Sequence, residues 1–330
     1  MKLSPVLKLV RLSALPSAWA DQFGGMALAF AMVGAGYWRF EPAKIALLLP
    51  MSFGVYLGGM ALNDVLHVRK DRLLHKPRPI VTGDLSLAQG WAITLLLFAI
   101  GVGCGFAVGC GGAVLALVAL IFLYNHLAAG RIRGVEVQHP KVWTVAGVAV
   151  IAACRAIHVL LPLMAHAGPN RLPTLLHTKT AVALFAGSVF GYFCLVTIVS
   201  LFEDSGGGRR ALRIVSVLLL PTVLALPAYV LSRPGSAGSP VLGIFLPLLI
   251  LASLLLMLWR KLDAAHREPI PPKLGACVGA GIRGEALLMA GFALMLAHER
   301  PWWGLLALAA TRPAASSASG SRRRSIGASP

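Results

Sequence analysis

Apolar residues in this chain come in long blocks, and polar residues gather in the short stretches between them. A helix needs about 20 mostly apolar residues to cross the hydrocarbon core of a bilayer. Measured that way, the sequence holds nine candidate spans, at 18–38, 43–62, 86–108, 110–127, 142–164, 180–202, 211–232, 240–259 and 285–308. Only the glycine-rich stretch "GCGFAVGCGG" separates the third span from the fourth, and no charge marks that turn. The first block is long and lacks a cleavage pattern, so it reads as a span and not as a removable signal peptide. The expected fold is therefore an all-α integral membrane bundle of nine transmembrane helices over residues 1–310. The rest, 311–330, is low in apolar content and rich in Ser, Ala and Gly, which predicts a disordered tail.

Composition agrees with the bilayer as solvent. Hydrophobic residues make up 57% of the 330, charged residues 13%, and the mean hydropathy is +0.78. Soluble domains carry about 25% charged residues, and so few charges cannot cover this much apolar surface. The formal net charge of +18 would fit a nucleic-acid partner if the basic residues formed one patch. They lie instead between the apolar blocks, as topology-setting charges do, so no nucleic-acid partner is expected. With nine spans, the N-terminus and the segments after even-numbered spans carry roughly 19 of the 30 Lys and Arg residues. That places the N-terminus in the cytoplasm and the C-terminus outside, in a multi-pass protein of the bacterial inner membrane; only the "SRRRS" of the tail runs against the rule. The five cysteines form no CxxC pair or Cys/His cluster and read as small buried hydrophobes.

The strongest polar cluster is "NDVLHVRKDRLLHKPRPIVTG", residues 63–83, at the end of the second block. On a helix Asn63, Asp64, His67 and Asp71 lie on neighbouring parts of one face. Two carboxylates so placed can share a hard cation such as Mg2+. Arg72, Lys76 and Arg78 follow, and a divalent cation beside cationic side chains is a receptor for a diphosphate. Taken alone, the Lys and Arg residues read as a solvated helix end, whereas carboxylates near a span need partners. A second cluster, "SLFEDSGGGRRAL" at 200–212, ends the sixth block. Glu203 and Asp204 precede three glycines, and Arg209 and Arg210 can grip phosphate oxygens. Alone it reads equally well as a flexible charged loop; the repeat of the acidic-then-basic order on the same side of the membrane favours a shared site. Arg155 lies inside the fifth block, where it needs a carboxylate partner or a cavity. His158, three residues on, reads as a satisfied interior histidine.

These residues resemble the UbiA superfamily of intramembrane prenyltransferases over about residues 8–308. Asn63, Asp64 and Asp71 match the family's first aspartate motif, and "KPRPIVTG" is similar to the Lys-Pro-x-Arg-Pro-Ile-x-x-Gly that follows it, one residue shorter. "KLGACVGAGIRGEALLMA" resembles the lead into the last helix. The resemblance implies a helical bundle around a central cavity, where two acidic motifs hold Mg2+ and the diphosphate of a prenyl donor. It implies Asp64, Asp71 and Asp204 as catalytic, with Glu203 joining them as metal ligands. Asn63, Arg72, Lys76, Arg78, Arg209 and Arg210 would bind diphosphate. The partners would be a prenyl diphosphate, a lipophilic or aromatic acceptor and membrane lipid. Two positions depart from the pattern: His67 replaces the middle aspartate of the first motif, and Gly208 replaces the second aspartate of the second. The order Ser-x-x-Glu-x-x-Gly-Gly from Ser200 is closer to the EboC-type branch. That likeness keeps an alternative open, a UbiA-like protein that binds or moves a lipophilic secondary metabolite or its precursor without prenyl transfer.

Overall fold

A computed structural model describes residues 3–12, 15–33, 42–129, 131–133, 136–138, 141–233, 241–297 and 301–309. The tail beyond 310, and residues 34–38 of the first predicted span, lie outside the described residues. In chain order the helices are α1 (Leu3–Leu9), α2 (Leu15–Val33), α3 (Pro42–Leu66), α4 (Val68–Leu73), α5 (Leu87–Ala107), α6 (Gly111–Ala129), α7 (Lys141–Ala167), α8 (Leu172–Thr178), α9 (Thr180–Ser200), α10 (Arg209–Leu231), α11 (Leu246–Arg267), α12 (Pro271–Leu296) and α13 (Trp302–Ala309). A π-helical turn, Val241–Phe245, leads into α11. A two-stranded hairpin, Arg131–Arg133 paired antiparallel with Glu136–Gln138, joins α6 to α7.

Eight helices among the described residues are long and apolar enough to cross a bilayer: α3, α5, α6, α7, α9, α10, α11 with its π turn, and α12. The first predicted span, 18–38, corresponds to α2, whose 19 residues include the buried Ser17, Asp21 and Gln22. The doubtful pair at 86–127 is two helices. A capping box between Ser86 and Gln89 starts α5. The chain turns at Gly109, whose φ of +84° suits a residue without a Cβ. The last predicted span needs correction. The helix begins at Pro271, not near 285, and ends at Leu296, with α13 a separate short helix. Lys273, Arg283 and Glu285 dilute the apolar signal of its first half, yet most of α12 is buried among other helices and not in lipid.

Small residues set the packing that positions the site. A Cβ on Gly25 of α2 would lie 2.2 Å from the Val159 carbonyl oxygen of α7, so these two backbones touch. A Cβ on Gly54 of α3 would lie 2.4 Å from the Leu97 carbonyl oxygen of α5. The core contains Phe185, Tyr192, Phe292 and Met289. Outside it, Leu96, Phe106, Val217, Leu249 and Trp259 are exposed, as expected for side chains that meet acyl chains.

Candidate functional site

A cavity of about 390 Å3 opens among α3, α6, α7, α9 and α12. Its wall is apolar through Val55, Leu117, Ile121, Ile151, Val196 and Ile282, with Arg11, Asn63, Lys76, Arg78, Asn125 and Glu203 supplying polar lining.

The chain keeps its helical hydrogen bonds across the break after α3. His67 N donates to Asn63 O at 3.0 Å, and Asp71 N donates to His67 O at 2.8 Å. The predicted shared face therefore persists: Asp64, His67 and Asp71 are all buried. Past α4 the chain turns back at His75, which takes a left-handed φ of +51°, and Lys76 N donates to Asp71 O at 2.9 Å. This turn returns Lys76 and Arg78 to the cavity. Arg78 Nε lies 3.8 Å from both Asp64 Oδ1 and Asp71 Oδ2. Arg11 Nη2 donates to Asp64 Oδ1 at 2.9 Å. Asn63 Nδ2 donates to Asn125 Oδ1 at 3.0 Å.

The two predicted clusters come together. Lys76 Nζ donates to Asp204 Oδ2 at 2.9 Å, and Glu203 lines the same cavity as Asn63 and Arg78. Other expected contributors stand apart. Asp204 is exposed, as are Arg72, Arg209 and Arg210, and none of the four lines the cavity. The glycine run is a tight turn: Gly206, Gly207 and Gly208 all have positive φ, and Gly207 N donates to Pro269 O at 2.8 Å. His67, like Asp64 and Asp71, does not line the cavity, and its Nε2 lies 2.9 Å from Asn125 O of α6. Burial holds its pKa below the ordinary 6.5, although the Asn125 carbonyl opposes this, so the neutral ring with Nε2–H donating fits. Burial, then the charge of Lys76, lowers the pKa of Lys70, whose Nζ reaches the Ala128 carbonyl at 3.1 Å.

The carboxylates behind Arg78 fit a hard divalent cation. Asp64 Oδ2 is buried with no hydrogen-bond partner, and Asp71 shares Arg78 with it. Among the described residues no three His, Cys, Asp or Glu side chains gather into a metal cage. Mg2+ does not require one, because it is bound through one or two carboxylates together with substrate phosphates and water.

Sequence reasoning missed Arg11, Tyr56, Tyr124 and Asn125 in the lining, and the mid-bundle partners of Arg155 and His158: Ser17, Asp21, Ser52 and Glu285. Arg155 Nη2 lies 2.9 Å from Asp21 Oδ2 of α2 and pairs with Glu285 of α12, which also accepts from Ser17. His158 Nδ1 meets Asp21 Oδ2 at 2.7 Å, and its Nε2 meets Ser52 Oγ at 3.0 Å. Arg155 thus has the carboxylate partners its place in a span demands, and His158 is a satisfied interior histidine.

The chain matches the profile of the UbiA prenyltransferase family over residues 25–274. The digeranylgeranylglyceryl phosphate synthase of Metallosphaera sedula is 32% identical over 135 residues, 40% of this chain and 45% of that protein. The synthase of the same name from Sulfolobus acidocaldarius is 25% identical over 126 residues, 38% of this chain and 43% of that protein. The matched segments thus span less than half of these relatives' lengths. A solved structure described as digeranylgeranylglyceryl phosphate synthase in membranes has a TM-score of 0.58, with 16% identity, over 90% of this chain and 99% of that one. The fold is shared.

Proposed function

The chain belongs to the UbiA prenyltransferase family, and from that premise we propose that it transfers a prenyl group from an isoprenoid diphosphate to a lipophilic or aromatic acceptor within the membrane. The observation that carries this reading is that Arg78, which lines the cavity, lies 3.8 Å from both Asp64 and Asp71 buried behind it. Arg78, Arg11 and Lys76 supply cationic hydrogen-bond donors for a diphosphate, and Asn63 an amide. Asp64 and Asp71, with Glu203 beyond them, would hold Mg2+, which when bound neutralises charge on the departing diphosphate. The C1–O bond of the donor breaks, and its electron pair leaves on the diphosphate oxygen. The acceptor's electron pair then forms the new bond to C1, and the acceptor's proton passes to water at the mouth. Tyr124 lines the cavity with Tyr56 and Phe193, and an aromatic ring beside the donor would stabilise an allylic cation. The apolar wall excludes water that would quench it. The basic segments favour a cytoplasmic mouth and N-terminus in a bacterial inner membrane.

One observation favours the second reading, an EboC-like protein that binds or moves a lipophilic secondary metabolite or its precursor. Of the second acidic cluster only Glu203 lines the cavity, while Asp204 is exposed and paired with Lys76. The test is incubation of the purified protein in nanodiscs with radiolabelled geranyl, farnesyl and geranylgeranyl diphosphates. A panel of phenolic and hydroxylated lipids serves as acceptors, with and without Mg2+. Transfer that needs Mg2+ is expected. Tight donor binding with neither transfer nor diphosphate release refutes the enzyme and leaves the binder.

A further inference from the structure

Arg155 is held in an unusual way. Its guanidinium carbon lies 4.7 Å from the ring centre of Tyr56 and 4.6 Å from that of Phe193, so two aromatic rings flank the group. The hydrogen bonds and ion pairs it makes to Asp21, Glu285 and Ser17 all run through Nη2. Nε and Nη1 are buried with no partner. Buried donors without partners are uncommon in folded proteins and costly. Arg155, Tyr56 and Phe193 all line the cavity. The guanidinium thus borders the cavity, enclosed between two rings, with two donors that have no protein partner.

Its depth separates it from the mouth. Tyr56 precedes Asn63 by seven residues on α3, which is roughly 10 Å along the axis at 1.5 Å per residue. The chemistry of the guanidinium selects the ligand. Two carboxyl groups, Asp21 and Glu285, already share this one cation, so no positive charge is left to balance an anion carried into a low-dielectric interior. The free N–H groups still demand an oxygen that accepts. His158 offers no competing contact, because both its nitrogens are engaged by Asp21 and Ser52.

We propose that Arg155, flanked by Tyr56 and Phe193, forms a second polar subsite in the interior of the cavity, and that it takes a neutral hydroxyl or carbonyl oxygen of the acceptor lipid. The assignment rests on the prenyl-transfer reading for the word "acceptor", but the binding site does not. The subsite discriminates against an anionic headgroup, which would be confined to the cationic mouth.

The test uses the full chain in nanodiscs and two tritiated probes of equal tail length, 1-O-dodecylglycerol and dodecyl phosphate, each measured without a prenyl donor, and geranylgeranyl diphosphate binding is measured separately. With the cationic mouth saturated by unlabelled inorganic diphosphate, wild type is expected to hold dodecylglycerol at least tenfold more tightly than dodecyl phosphate. Arg155→Lys keeps a cation for Asp21 and Glu285 but removes the planar donor edge. It should lose at least tenfold in dodecylglycerol binding while the affinity for geranylgeranyl diphosphate at the mouth stays within twofold. Should that variant fail to fold, a diazirine on the glycerol end of the neutral probe gives the same answer in wild type. Labelling at Tyr56, Ile151, Arg155 or Phe193 is expected, and labelling confined to the outer surface overturns the proposal. Binding of neither probe, equal binding of both, or unchanged binding in Arg155→Lys also overturns it. Because no transfer is measured, absence of prenyl-transfer activity would refute the proposed function without touching this result.

Discussion

Restoring the family-like aspartate at position 208 should harm the protein and not rescue its second motif. Gly208 has a φ of +75° and sits just before α10. A side chain there meets two obstacles. The left-handed conformation costs an ordinary residue about 1–2 kcal/mol, toward the low end for Asp. The new Cβ would also stand 2.6 Å from Cγ of Phe202, the ring atom nearest its backbone, which cannot swing clear without moving the rest of the ring. Overpacking of this kind costs about 1–3 kcal/mol. A carboxylate at a helix N-terminus brings back at most ~1 kcal/mol, and the left-handed backbone differs from the extended one through which an N-cap side chain bonds the helix. The net expectation for Gly208→Asp is a loss of roughly 1–4 kcal/mol. The assay is the temperature at which the detergent-purified protein loses its monodisperse size-exclusion peak, with Gly208→Ala as control. Both variants should fall by several degrees, since the clash is shared. A Gly208→Asp protein as stable as wild type, with raised Mg2+-dependent transfer, would refute the argument and make the glycine a lost catalytic position.

The other expectations are briefer. Asp64→Asn removes the charge that faces Arg11 and Arg78 and should lower Mg2+-dependent transfer at least a hundredfold, about 2.7 kcal/mol of transition-state stabilisation, read as product formed against Mg2+ concentration. Arg155→Met strands Asp21 and Glu285 and should destabilise the bundle by about 3–5 kcal/mol, whereas adding Asp21→Asn and Glu285→Gln should recover most of it, measured by denaturant unfolding in mixed micelles. His67, with its pKa held below 6.5 by burial, takes up a proton more readily when unfolded. Its contribution is intact above that pH and is lost as the pH falls toward the lower folded value. His67→Gln should therefore flatten the fall in melting temperature below pH 6.5, and an unchanged profile would remove His67 as a cause.

The sequence was most readable where polarity is costly. Asp64 and Asp71 stood out because carboxylates at a span end need partners, and the structure supplies Arg11 and Arg78. The span ruler failed where polarity was internal. It counts apolar residues as if each helix faced lipid, but α12 is buried by its neighbours and spends its polar residues inside the bundle. Glu285, fully buried, is the clearest case. The arginines were hard to separate for the opposite reason. Beside an acidic cluster, a gripping arginine and a topology-setting one look alike in sequence, and only the turn at His75 separates Arg78, in the cavity, from Arg72, exposed.

A signal for the second polar group was nevertheless present. Arg155 inside a predicted span required an anion from another span, and Asp21 and Glu285 both fall within predicted spans. Pairing Arg155 with Asp21 and Glu285 from the sequence brings α2, α7 and α12 together. It also implies that the cation is neutralised twice and so has no charge left for a substrate anion. The cavity then has a division of labour that follows from electrostatics alone. Arg11, Lys76 and Arg78 at the mouth are partly exposed and suited to a multiply charged group. Arg155, fully enclosed and balanced, retains only directional hydrogen bonds. If a charged headgroup were found seated against Arg155, both of its carboxyl partners would have to carry a proton or turn away to free its charge. Glu285→Gln should then strengthen that binding, whereas for a neutral oxygen the same change leaves the affinity nearly unaltered.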